Sequence, residues 1–135
     1  MSAARVLMLA AGLAAFLGAG PVRAQMANCA GAQTQMALNA CAGKEYKKAD
    51  AALNQVYGKL KGKLTKPADR KPLAAAERAW IAYRDAECAF ETGGTVGGSI
   101  HPMLMAMCLN EKTLVHTAEL SRQLNCKEGD PSCVH

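Results

Sequence analysis

The sequence contains no Cys-x-x-Cys pair, no strand of convincing length and no internal repeat. Its three histidines, His101, His116 and His135, are widely spaced. A structural zinc site needs close pairs of such ligands, so no metal is expected. No serine sits in a strand-to-helix elbow of the kind a hydrolase uses. After the first few residues, no apolar run is long enough to cross a bilayer. Acidic residues are the minority, 11 Asp and Glu against 16 Lys and Arg. At 135 residues the chain is one domain at most, too short for a TIM barrel or a two-domain nucleotide-binding enzyme.

The start of the chain is distinct. Arg5 precedes an almost wholly apolar run from Val6 to Gly18, Gly20 and Pro21 break it, and Val22-Arg23-Ala24 offers small residues for cleavage. This reads as a signal peptide over residues 1–24, removed before Gln25. Cleavage leaves 111 residues and lowers the net charge from +5 to +3. The expected location is periplasmic or secreted, with no integral membrane span in the mature chain.

All six cysteines, Cys29, Cys41, Cys88, Cys108, Cys126 and Cys133, lie in the mature part. Six in an exported chain of this size read as a disulfide framework. Thiol chemistry is thereby disfavoured.

Helical periodicity dominates. Ala49, Leu53, Val56, Leu60 and Leu64 form one helix face, continued upstream by Leu38, Ala42 and Tyr46. This predicts a first helix from about Ala32, fraying towards Thr65. A second helix is expected from Asp69 as cap, with Pro72 in its first turn. Leu73, Ala76, Trp80, Tyr83 and Glu87 share a face there, with Trp80 and Tyr83 as core anchors. Glu91 to Ser99 holds four glycines and is read as irregular. Ser99 is the expected cap of a third helix, with Leu104, Met107, Cys108, Leu114, Val115 and Ala118 on its apolar side. The fold class is all-α: a small disulfide-stabilised bundle with a long helical hairpin and a third packed helix. The domain is bounded at 25–125, followed by a short disulfide-closed tail, 126–135.

Levelling Gly62 with Pro72 in an antiparallel hairpin puts Cys88 opposite Tyr46, with Cys41 about five residues beyond. Cys41–Cys88 with Cys29–Cys108 is then one pairing. The alternative set, Cys29–Cys88 with Cys41–Cys108, is not excluded by these levels. Cys29–Cys41 is unattractive if the helix starts at Ala32, because bridged Cα atoms must approach within about 7 Å. Cys126 and Cys133 are close enough to close the tail.

Cys29, Cys41, Tyr46, Asp50, Leu53-Asn54, Tyr57, Trp80-Ile81, Tyr83-Arg84-Asp85, Cys88 and Gly97-Gly98-Ser99, followed by Cys108, occur in order. The set resembles the lysozyme inhibitor LprI-like N-terminal domain family from Cys29 to Leu120. The resemblance implies a helical, envelope-exposed domain that binds and inhibits lysozyme. One departure is visible: Thr113 is in place, but His116 stands where the family pattern has Arg. A permanent bidentate donor becomes a titratable ring.

The residues themselves suggest a structural polar cluster of Asp50, Asn54, Tyr57, Arg84 and Asp85. Ser99 with His101 or His116 and Asp85 supplies a triad's residue types, without its spacing. Asp85 and Glu87 point about 200° apart on a helix and make no glycosidase pair. The chain is therefore read as a non-enzyme with no cofactor: an exported binding domain, possible partners being lysozyme or another envelope protein. The alternative is a structural or adaptor role at peptidoglycan. Candidate binding residues are Lys59, Lys61, Lys63 and Lys66 at the hairpin tip, and Gly97, Gly98 and Ser99 in the glycine loop. With Arg70 and Lys71 the tip carries six positive charges against Asp69. Export argues against a nucleic-acid partner despite that charge. Common lysozymes are basic, so net charge gives no long-range steering; the tip would instead meet the carboxylates of the enzyme's cleft.

Overall fold

The computed structural model describes residues 28–127 and 129–133, so the expected signal peptide lies outside the described residues. Among the described residues three helices make up the fold: α1, Gln35–Lys63; α2, Pro67–Thr92; and α3, His101–Leu124. A 3-10 turn, Gly93–Thr95, follows α2. The fold is an all-α, disulfide-stabilised three-helix bundle.

Chain direction follows from the cross-contacts. The turn at Leu64–Lys66 reverses α1 into α2, and Arg84 of α2 returns to Asp50 of α1. Asn39 near the start of α1 donates to the Ser99 carbonyl just before α3, at 2.9 Å. Lys63 at the end of α1 donates to the Leu124 carbonyl at the end of α3, at 3.2 Å. The helices therefore run up, down, up. The hairpin is α1–α2, but the most intimate packing is between α1 and the parallel α3. Small buried residues, Ala42 and Ala49 on α1 and Ala106 on α3, permit that approach.

Two apolar clusters form the core. Ala42, Met103 and Ala106 form one at the end where α1 begins, with Leu38, Tyr46, Leu104 and Met107 against it. Leu53, Leu60 and Leu120 form the other, covered by Val56, Tyr57, Leu73, Trp80 and Leu124.

The helix ends differ from expectation in ways that local chemistry explains. α1 starts at Gln35, because the Thr34 hydroxyl accepts from the Ala37 amide at 3.1 Å. The preceding segment turns back, with the Ala32 amide donating to the Cys29 carbonyl. α2 starts two residues before the expected Asp69 cap, with Pro67 in its first turn and no side-chain cap. Asp69 instead adds negative charge to the first turn, where the helix dipole favours it. Pro72 lies inside the helix rather than at its entry. α2 also continues to Thr92, into the segment expected to be irregular. Ser99 does not cap α3: Ile100 precedes the helix without a side-chain cap, and Ser99 contributes its carbonyl to Asn39. Gly97 has φ +83°, which accounts for glycine there.

All six cysteines are bridged: Cys29–Cys41, Cys88–Cys108 and Cys126–Cys133. The tail bridge is as expected; both long-range pairings drawn from the sequence are corrected. Cys29 reaches Cys41 because helix does not start at Ala32, and the reversed lead-in brings the Cα atoms to 5.9 Å. That leaves Cys88, at the far end of α2, for Cys108 on the adjacent α3.

The inward faces are also more polar than expected. On α2, Arg84, Cys88 and Thr92 are buried, whereas Tyr83 is 57% exposed. Tyr83 is therefore not a core anchor, though Trp80 does pack on the core. On α3 the buried positions are Met103, Ala106, Asn110, Thr113 and Leu120, while Leu114 and Val115 face outward.

Candidate functional site: a charged groove between the second and third helices

Arg84 organises the centre of the bundle. Its side chain is 7% exposed and bonds Asp85 through Nε at 2.9 Å and Nη2 at 2.8 Å. Nη1 donates to the Thr113 hydroxyl at 3.4 Å and lies 3.8 Å from Asp50. The guanidinium stands 5.1 Å from the Trp80 ring centroid and 5.6 Å from that of Tyr46. Asn54 donates to the Asp50 carbonyl and carboxylate. Four of the five residues expected in a polar cluster thus meet. Tyr57 does not join them and packs on the Leu53–Leu60–Leu120 cluster instead. Tyr46, Trp80 and Thr113 complete the arrangement. Burial raises the Tyr46 phenol above its ordinary pKa, opposed by the nearby Arg84 charge.

His116, at the position where the family pattern has arginine, stacks on Trp80 with ring centroids 4.0 Å apart and planes at 13°. Its Nε2 lies 2.9 Å from Glu77 on α2, and its Nδ1 lies 3.2 Å from Glu119 on α3. Both ring nitrogens face a carboxylate, and only the imidazolium form donates to both at once. In place of arginine, His116 thus sets one ring nitrogen against a carboxylate of each helix.

Trp80 and His116 act as a wedge between α2 and α3. Above it lies an open groove of about 460 Å³. Its walls are Trp80, Tyr83 and Glu91 from α2, and Cys108, Glu111, Lys112, Val115, His116 and Glu119 from α3. Lys112 bonds Glu91 at 2.9 Å. That hydrogen bond holds the Lys112 ammonium above its ordinary pKa, against the opposing effect of burial. The Cys88–Cys108 bridge clamps the two walls close to the glycine loop. The groove is not legible in the sequence, since its residues come from two separated segments and only helix rotation brings them together.

The expected binding residues sit elsewhere. Lys59, Lys61, Lys63 and Lys66 are exposed around the α1–α2 turn. Two cations there have structural work: Lys63 caps the end of α3 at Leu124, and Arg70 donates to the Leu64 carbonyl. Gly97, Gly98 and Ser99 lie at the opposite end of α2, whose 26 residues span about 39 Å. Tip and loop therefore form two separate surfaces. Cys126, Asp130 and Cys133 cluster closely enough to suggest a metal, but both cysteines are oxidised and are not thiolate ligands. Among the described residues no helix is long and apolar enough to cross a membrane.

The chain is 37% identical over 115 residues to an uncharacterized protein of Rhizobium meliloti (strain 1021), covering 76% of this chain and 82% of that one. No solved structure matches. The family described as lysozyme inhibitor LprI matches residues 26–120, a span that takes in α1, α2 and most of α3. An inhibitor acts by binding, so this assigns a non-enzymatic binding domain. The chain belongs to the lysozyme inhibitor LprI family.

Proposed function

We propose that this protein is exported and inhibits lysozyme, acting in the periplasm or outside the cell. The supporting observation is the family match over residues 26–120, which includes the whole Arg84-centred bundle. The apolar run after Arg5 and the Val22-Arg23-Ala24 site support removal of residues 1–24, with the binding domain at 25–125 and the tail at 126–135. The tip lysines Lys59, Lys61, Lys63 and Lys66 are the proposed cleft-reaching surface. They project from the end of the bundle remote from the Cys29–Cys41 and Cys88–Cys108 bridges. Gly97, Gly98 and Ser99 form the competing surface, where glycines allow close backbone approach but lose more entropy on ordering.

The test uses the oxidised protein recovered from the periplasm, whose N-terminus is expected at Gln25. Its effect on cell-wall lysis by chicken-type, goose-type and invertebrate-type lysozymes is measured by turbidity. Saturable inhibition of at least one class is expected. No inhibition of any class contradicts the proposal and favours a structural or adaptor role at the envelope.

A further inference from the structure

The α2–α3 groove has a local charge opposite to that of the chain. Three carboxylates line it, Glu91, Glu111 and Glu119, against Lys112 and His116. Glu91 is engaged by Lys112 and Glu119 by His116. Glu111 is half-buried and has no hydrogen bond or ion pair among the described residues. A carboxylate held in a groove without a cation has acceptor capacity left for a ligand. The aromatic wall is likewise divided. Trp80 is already engaged by His116 and Arg84. Tyr83 is 57% exposed and has no ring or hydrogen-bond partner among the described residues. Val115, 57% exposed, adds apolar surface beside them.

We infer that this groove receives an arginine side chain presented by a basic partner protein. A guanidinium is planar, so it can lie against the Tyr83 ring while donating two parallel hydrogen bonds to the Glu111 carboxylate. Its methylenes would cover Val115. Lysine offers a point charge without the planar fork and fits less well. An open groove of about 460 Å³ exceeds one side chain, which suits a residue held within a peptide segment rather than a free amine. The Cys88–Cys108 bridge ties the two walls together at one end and fixes their spacing there, so little ordering is needed on binding. Nothing in this chemistry depends on lysozyme being the partner, and the site lies on the side of the bundle, away from the lysine tip.

The protein carries a single tryptophan, Trp80, and it lines the groove. Its fluorescence therefore reports occupancy. The probe is a capped tripeptide with arginine at its centre, titrated into the oxidised protein alongside citrulline and lysine versions, with amide chemical-shift mapping in parallel. The arginine peptide is expected to saturate with a dissociation constant on the order of 1 mM. Shifts should concentrate on residues 80–91 and 108–119. The lysine peptide should bind several-fold more weakly, and the citrulline peptide should not saturate. Glu111→Gln and Tyr83→Ala, both at positions that hold no part of the core, should each weaken arginine binding at least about fivefold with the circular dichroism unchanged. Equal binding of arginine and citrulline, shifts confined to other surfaces, or unchanged affinity in a folded Glu111→Gln variant would overturn the site. Lysine binding as tight as arginine would overturn the guanidinium assignment.

Discussion

Arg84 is a buried charge whose acidic partners remain wet: the side chains of Asp50 and Asp85 are 43% and 56% exposed. Losing the arginine would therefore leave no stranded buried carboxylate, and most of its contribution should come from packing and from the hydrogen bond to Thr113. Arg84→Ala is expected to cost about 2–3 kcal/mol, and Arg84→Met, which keeps the aliphatic stem against Trp80, only about 1 kcal/mol. Urea denaturation of the two variants checks this; equal losses would mean that charge, not packing, dominates. The pairing of Asp50 with Arg84 was legible in the sequence, because levelling Gly62 with Pro72 also sets those two residues opposite each other. Tyr83 was misplaced for a specific reason. Periodicity marks apolar residues as inward, and here arginine takes an inward position while tyrosine, three residues after Trp80, points out to the groove.

At the level of elements, side-chain size sets which helices touch. Alanines let α1 and α3 close together, whereas Trp80 and His116 hold α2 away from α3 and leave the groove. The Cys88–Cys108 bridge then ties together the two helices that the wedge separates. Replacing Cys88 and Cys108 with serine is expected to cost about 3 kcal/mol, as chain entropy predicts for a closed loop of this length. The tail bridge, Cys126–Cys133, closes only a short segment beyond α3, so the same replacement there should shift the bundle's melting temperature by no more than about 2 °C. Thermal melts of the two double variants followed by circular dichroism make the comparison. Similar losses would place the tail within the cooperative unit. The helix count, their order and the antiparallel register were all readable from spacing and proline positions. The pairing of Cys29 with Cys41 was not, because it turns on a helix start displaced by three residues, from Ala32 to Gln35, through the Thr34 cap.

Across the whole molecule, charge is segregated. Lysines project at the α1–α2 turn, while carboxylates line the side groove. The tip was legible because its residues are contiguous in sequence. The groove was not, since Tyr83 and Glu111 come from different helices and carry no shared motif. This segregation gives a protein of positive net charge both a cationic projection and a carboxylate-lined groove. Single exposed ion pairs contribute only about 0–1 kcal/mol, so the tip must be tested as a unit. The most direct measurement is the lysozyme inhibition constant of the oxidised wild-type protein and of a variant with Lys59, Lys61, Lys63 and Lys66 all changed to glutamine, over a salt series. Wild type should inhibit, and the folded variant should be about tenfold weaker at low salt with a flatter salt dependence. Unchanged inhibition and an unchanged salt slope would contradict the tip as the contact surface, and absence of inhibition by wild type would contradict lysozyme as the target.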